Sequence, residues 1–322
     1  MYKLNCDNIK DYNIKLRVMF GKLVKNLVEQ NDDIVFCVAD AAKACRFEGL
    51  DKCPEKFIEC GIAEQNLAGV AAGLARSGKI PITFGFTPFV SERCFEQVKL
   101  DIVYSKLHVI IVGSEGGVGL GTQGVTHFGW EDVAVMRSLP NMKIMCPADT
   151  NQLIKCLKVA LTLDGPVYIR LNGGIPENVY NEDSNFNFGK GIVHSVGKDI
   201  NIVSTGTCLS TALKVSKNLV KEGISVGVID MHTIKPIDEQ LIKKISGEAK
   251  LILTMEEHSI VNGLGTAVSD VITKYGTGNR LIKLGLPDEY PKTVSPYPDM
   301  MKDYGLTVDG VVKTIKENLK IS

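Results

Sequence analysis

At 322 residues, 44% hydrophobic and 23% charged, the chain has the length of two ordinary domains and the composition of a globular protein. Lys+Arg and Asp+Glu balance at 37 each, so bulk charge gives no case for nucleic acid or an anionic membrane as partner. No apolar run approaches the roughly 20 residues of a membrane span, and the first residues lack the apolar core of a signal peptide.

In chain order, the first half alternates helical and strand patterns. "IKLRVMFGKLVKNLVEQN" carries apolar residues at helical spacing, and "DIVFCVAD" reads as a strand. The helix "AEQNLAGVAAGLARSG", the strand "IPITFGF", the helix "SERCFEQVKLDIVYSK" and the strand "LHVIIVG" follow. After a glycine loop come a short helix near Glu131 to Ser138, the strand "MKIMCPAD", the helix "TNQLIKCLKVALTL" and the strand "GPVYIRL". Short strands apolar on both faces, alternating with helices, predict a mainly parallel sheet flanked by helices. Gly, Pro, Asn and acidic residues then cluster around 172 to 191, which predicts a linker over 181–191 between domains at 1–180 and 192–322. Beyond it "NIVSTGT", "ISVGVIDM", "KLILTMEE" and "RLIKLGL" repeat the alternation. The expected fold class is therefore α/β, in two domains of which the second is smaller.

Three stretches could carry chemistry. "GLGTQGVTHFGW" at 119–130 contains G-x-G-x-x-G at Gly119, Gly121 and Gly124. A dinucleotide fingerprint needs those glycines to join a strand directly to a helix, with an acidic residue about 20 positions on. Here the motif starts late, runs into His127, and no carboxylate follows until Asp149, beyond a proline. A nicotinamide site is a poor reading. In the helix after Glu64, residues 65 to 75 carry no charge, and Gly69 and Gly73 share a face that lets another backbone come close. Such a helix belongs in a core or a subunit interface. Glu64 itself either complements the helix dipole or sits at the edge of a dry site. Phe84, Phe86 and Phe89, interrupted by Gly85 and Pro88, fall at a strand end, where function often sits in parallel α/β folds. The nine cysteines are odd in number, scattered and without a C-x-x-C pair, which fits reduced thiols in a cytoplasmic protein. The five histidines show no metal-ligand spacing, so no metal site is expected within this chain.

Taken together, "GIAEQN", "FTPFVSER", G-x-T-H at Gly124 to His127 and "RSLPNMKIMCPAD" resemble the pyrimidine-binding half of transketolases. The resemblance is closest to the C-terminal subunit of split transketolases and is shared in part with deoxyxylulose-phosphate synthases. "DMHTIKPID" and "EEHSIVNGLG" look like the family's C-terminal domain. The resemblance implies a thiamine-diphosphate-dependent transfer of a two-carbon ketol unit from a ketose to an aldehyde. It implies that Glu64 bonds N1′ of the aminopyrimidine, that Phe89 and Phe86 stack on that ring, and that Asp40 lies near the cofactor. His127 would reach the substrate, with Arg17, Arg93, Gln123 and Arg170 as further substrate contacts.

The resemblance also implies what this chain needs. The family holds the diphosphate and Mg²⁺ through a G-D-G…N motif in an N-terminal domain, and no such motif occurs here. A separate diphosphate-binding subunit is the expected partner, with a homodimer contact through the pyrimidine-binding domain and an α2β2 assembly. Gln123 stands where an aspartate usually precedes G-x-T-H, Glu115 where a phosphate-binding histidine is usual, and Ala44 where a serine of the same site is usual. An anion site that loses a donor and gains a carboxylate is weakened, so the sugar or sugar-phosphate substrates are expected to be non-standard. The alternatives are the β subunit of a 2-oxoacid dehydrogenase E1 component and a catalytically silent assembly subunit.

Overall fold

The structure is a computed structural model that describes residues 2–4, 6, 13–47 and 54–320. The chain opens with α1 (Leu16–Gln30), whose Leu16, Met19, Phe20, Leu23 and Leu27 form one buried stripe. Then follow β1 (Ile34–Val38), β2 (Phe57–Glu59), α2 (Glu64–Arg76), β3 (Ile80–Phe86) and α3 (Thr87–Ser91). The short α4 (Phe95–Gln97) runs on as a π-helix over Val98–Val103 and leads to β4 (Ile110–Gly116). Two 3₁₀ turns, α5 (Asp132–Ser138), β5 (Lys143–Met145), α6 (Thr150–Ala160) and β6 (Val167–Asn172) end this half. No helix or strand interrupts the chain from there to β7 (Ile192–Ser195).

The second half holds β8 (Ile200–Ser204), α7 (Cys208–Lys221), β9 (Val226–Asp230), β10 (Thr233–Lys235) and α8 (Glu239–Glu248). It closes with β11 (Leu251–Ser259), α9 (Leu264–Tyr275), β12 (Arg280–Leu286), α10 (Tyr297–Asp303) and α11 (Val308–Leu319). Two sheets result, seven strands in the order β10-β5-β6-β4-β3-β1-β2 and five in the order β12-β11-β8-β9-β7. Both are parallel apart from one antiparallel edge strand each, β10 and β7. The strands that run through the middle of each sheet are apolar on both faces and buried by helices on either side, the α/β architecture the sequence predicts.

One connection departs from the expected separation. Residues 233–235, in the stretch read with the second domain, pair with β5 and complete the first sheet. Ile234 explains it: 2% exposed, it packs with Val109 and Ile144 of the first sheet. The reverse exchange occurs too, since Val118, Phe128 and Trp130 lie in the core of the second sheet. No helix among the described residues is long and apolar enough to cross a membrane.

Candidate active site

The strand order β4-β3-β1 brings the carboxyl ends of these three strands side by side, the edge where parallel α/β sheets commonly bind ligands. Phe86 ends β3, and Pro88 at the start of α3 turns the chain so that Phe89 lies beside it, the rings meeting edge to face at 6.1 Å. Glu64 is the first residue of α2 and only 6% exposed. Its two oxygens both lie 3.1 Å from Nη1 of Arg93. The Arg93 guanidinium in turn lies 4.0 Å from the centre of the Phe89 ring, a cation–π contact. From the other side the His127 ring approaches Phe89 at 5.2 Å and Phe86 at 6.1 Å, edge-on in both cases. Glu64, Arg93, Phe89, Phe86 and His127 thus form one continuous patch.

His127 reaches it because Gly124, at φ +78°, turns the chain between the 3₁₀ turns Gly121–Gln123 and Val125–His127. Its Nδ1 is 2.9 Å from the Thr126 hydroxyl. Gln123 is exposed on the preceding turn of the same loop. Asp40 stands apart from the patch, exposed just beyond β1, with a left-handed backbone at φ 53°. Its N–H donates to Glu59 Oε1 at 2.7 Å, and the same oxygen accepts the Gly61 N–H at 2.9 Å. Glu59 therefore ties the end of β1 to the turn that leads into Glu64, a link with no signature in the sequence.

Two arginines expected at the substrate have other partners. Arg17 Nε lies 2.9 Å from Glu115 Oε1, with Lys15 Nζ at 3.5 Å from the same oxygen. Glu115 is 2% exposed; burial pushes its carboxyl above the usual range while Arg17, and after it Lys15, pull it back. The acidic residue at this position thus neutralises part of the cationic charge around it. Arg170 corrects the expectation outright. It is 1% exposed, its Nε donates to Asp132 at 2.8 Å, and its Nη2 donates to the carbonyls of Gly129 and Glu257 at 3.0 and 2.8 Å. Tyr168 completes the enclosure by donating to the same Asp132 at 2.8 Å. Burial against a carboxylate and two carbonyls keeps Arg170 from an incoming substrate; it joins the two halves of the chain.

With this geometry in view, the transketolase pyrimidine binding domain matches residues 13–174 and the transketolase C-terminal domain matches residues 189–311. One of the two subunits of an apulose-4-phosphate transketolase from Phocaeicola vulgatus is 37% identical over 95% of this chain and 98% of its own length. A 6-deoxy-6-sulfo-D-fructose transketolase subunit from a Clostridium species is 34% identical over 94% of both chains. Among solved structures, one described as a split gene transketolase, inactive beta4 tetramer, superimposes with a TM-score of 0.85 at 37% identity, covering 96% of this chain and 99% of that one. The chain belongs to the transketolase family, as the C-terminal subunit of a split enzyme.

Membership implies thiamine diphosphate, and the patch fits one end of it. Arg93 shows that a flat, hydrogen-bonding group can lie on the Phe89 ring while bonded to the Glu64 carboxylate, which is the pair of surfaces an aminopyrimidine requires. Among the described residues no group of three or more His, Cys, Asp or Glu is placed to hold a metal ion.

Proposed function

We propose that this chain supplies the pyrimidine-binding half of a split transketolase active site, with Glu64 at the aminopyrimidine, Phe89 and Phe86 against its ring and His127 at the substrate. The observation that carries this reading is the contact of Glu64, Arg93, Phe89 and His127 within one patch. Bound thiamine diphosphate supplies a stabilised carbanion at its thiazolium carbon for the transfer of a two-carbon ketol unit. Glu64 holds a proton at its carboxyl oxygen and shares it with N1′, while its low exposure keeps competing water away. Phe86 and Phe89 fix the ring plane, and Arg93 orients the Glu64 carboxylate. His127, standing on the glycine loop, donates a hydrogen bond to substrate oxygen. Asp40 belongs to the rim, and Gln123 to the substrate entrance.

A separate diphosphate-binding subunit holds Mg²⁺ in this reading, and the pyrimidine-binding domain forms the contact between two copies in an α2β2 assembly. The solved relative described as inactive in a beta4 tetramer supports a chain that is silent without its partner. The Arg17–Glu115 pair supports substrates outside the ordinary pentose phosphates, because the carboxylate weakens a phosphate site. That two relatives are named for apulose 4-phosphate and 6-deoxy-6-sulfo-D-fructose agrees with such breadth. The test is calorimetry of thiamine diphosphate with Mg²⁺ on the chain alone and on the reconstituted pair. Weak binding alone and tight binding by the pair is expected; tight Mg²⁺-dependent binding by the lone chain would end the split-site reading.

A further inference from the structure

We infer that Glu257, in the C-terminal half of the chain, is a positioning residue that clamps the neck of the loop carrying His127. The neck is closed by two backbone hydrogen bonds, Gly117 N–H to Gly129 O at 2.8 Å and Gly129 N–H to Gly117 O at 2.9 Å. Glu257 reaches both of its sides. Its Oε1 accepts the Val118 N–H at 3.0 Å. Its carbonyl accepts Arg170 Nη2 at 2.8 Å, and that nitrogen also donates to Gly129 O at 3.0 Å. The second carboxylate oxygen accepts from Asn172 Nδ2 and from the Tyr297 hydroxyl, each at 3.0 Å. Asn172 ends β6 of the first sheet and Tyr297 begins α10 beside the second, so the carboxylate is fixed from both halves.

The fit leaves no slack. Gly117 has φ +72°, and a Cβ placed on it would come within 2.4 Å of Glu257 Oε1. Val118, Phe128 and Trp130 flank the neck and are buried in the second sheet's core, and Trp130 O accepts the Ser259 N–H at 2.9 Å. In contrast, Thr122, Gln123, Val125 and Thr126 at the tip are exposed. A polar loop anchored only at its buried neck depends on that neck for the position of its tip. Displacement of a reacting group by about 1 Å can cost on the order of 10²-fold in rate. The second domain, which contributes no residue to the patch itself, thereby sets where His127 stands. This step rests on the proposed role of His127, but the clamp can be tested without it.

The test uses the intact chain, with Glu257→Gln and Tyr297→Phe as clamp variants and Asp238→Asn as control. Asp238 caps α8 in the same half of the chain, accepting the Leu241 N–H at 3.2 Å, and is not part of the clamp. Hydrogen exchange read by mass spectrometry should show residues 117–129 opening on the order of tenfold faster in Glu257→Gln. A smaller increase is expected in Tyr297→Phe and none in Asp238→Asn. The His127 ring-proton resonance, which Phe86 and Phe89 perturb through their ring currents, should shift in Glu257→Gln alone or together with Tyr297→Phe. Wild-type exchange and an unmoved resonance in Glu257→Gln would overturn the clamp, as would the same changes in Asp238→Asn. In the reconstituted enzyme, Glu257→Gln should lower kcat/KM on the order of 10- to 100-fold with cofactor C2 proton exchange unchanged. A loosened loop with wild-type turnover would leave the clamp standing and remove His127 from the substrate.

Discussion

Glu64 combines burial with one charged partner, and that pairing governs what a substitution there reports. Glu64→Gln keeps the volume and can still accept from Arg93, so the patch should stay in place and assembly with the partner should survive. What it loses is the ability to share a proton with N1′, a contribution typically worth about 10²–10⁴-fold. Exchange of the cofactor C2 proton in the reconstituted enzyme should fall by that order at saturating cofactor. His127→Ala should leave C2 exchange near the wild-type rate and depress turnover, because its contact is with the substrate. Wild-type C2 exchange in a fully assembled Glu64→Gln enzyme would reduce Glu64 to a helix-dipole residue tethered by Arg93. The residues of this patch were legible because they fall at strand ends and helix starts, positions that hydrophobic patterning marks. Their partners were not. Arg93 is 29 positions from Glu64, and Asp132 is 38 from Arg170, so only the folded sheet brings these charges together.

Among the elements, the passage from β9 to β10 is where sequence patterning ran out. A three-residue strand carries too few side chains to show a period, so the crossing of 233–235 onto the first sheet could not be read in advance. That crossing buries His232 completely, stacked on Phe186 at 4.1 Å, with Nε2 lacking a hydrogen-bond partner. Burial lowers its pKa to about 4. An unfolded chain binds a proton at a histidine below about pH 6.5, so this histidine's full contribution to stability is present above that pH and is lost as pH falls toward 4. The loss could reach about 3 kcal/mol for one such residue. Buried Asp230, Glu256 and Glu257, raised to about 7 by burial, act in the opposite sense, gaining stability as pH falls from 7. His232→Phe removes one acid-sensitive group and leaves those carboxylates, so its melting temperature should fall less steeply than that of the wild type between pH 6.5 and 4. Calorimetric scans at stepped pH decide it: parallel slopes would mean that His232 does not resist protonation in the fold.

At the scale of the whole molecule, the sequence conveyed the two α/β halves because each repeats strand–helix alternation, but not how tightly they interlock through β10 and the glycine loop. It also marked α2 as a helix that lacks charge over its length, and in the chain by itself that helix is only partly covered. Gly73 is exposed with no atom within 4 Å of where a Cβ would stand, and Ile62, Leu100 and Tyr104 around it are 77%, 50% and 83% exposed. In a lone subunit, Gly73→Ala should therefore be stabilising, by about 0.5–1 kcal/mol from helix propensity. In an assembly that packs a second α2 against this face, the added methyl meets a backbone in close contact, and overpacking of that kind costs about 1–3 kcal/mol. The two effects oppose each other and are separable by concentration. At dilutions where the chain is monomeric, the variant should melt higher than the wild type. By sedimentation at micromolar concentration it should be more dissociated. A variant that melts higher and associates as the wild type does would move the subunit contact off the glycine face of α2, and Ile62 and Tyr104 would then have to be covered by the diphosphate-binding partner instead.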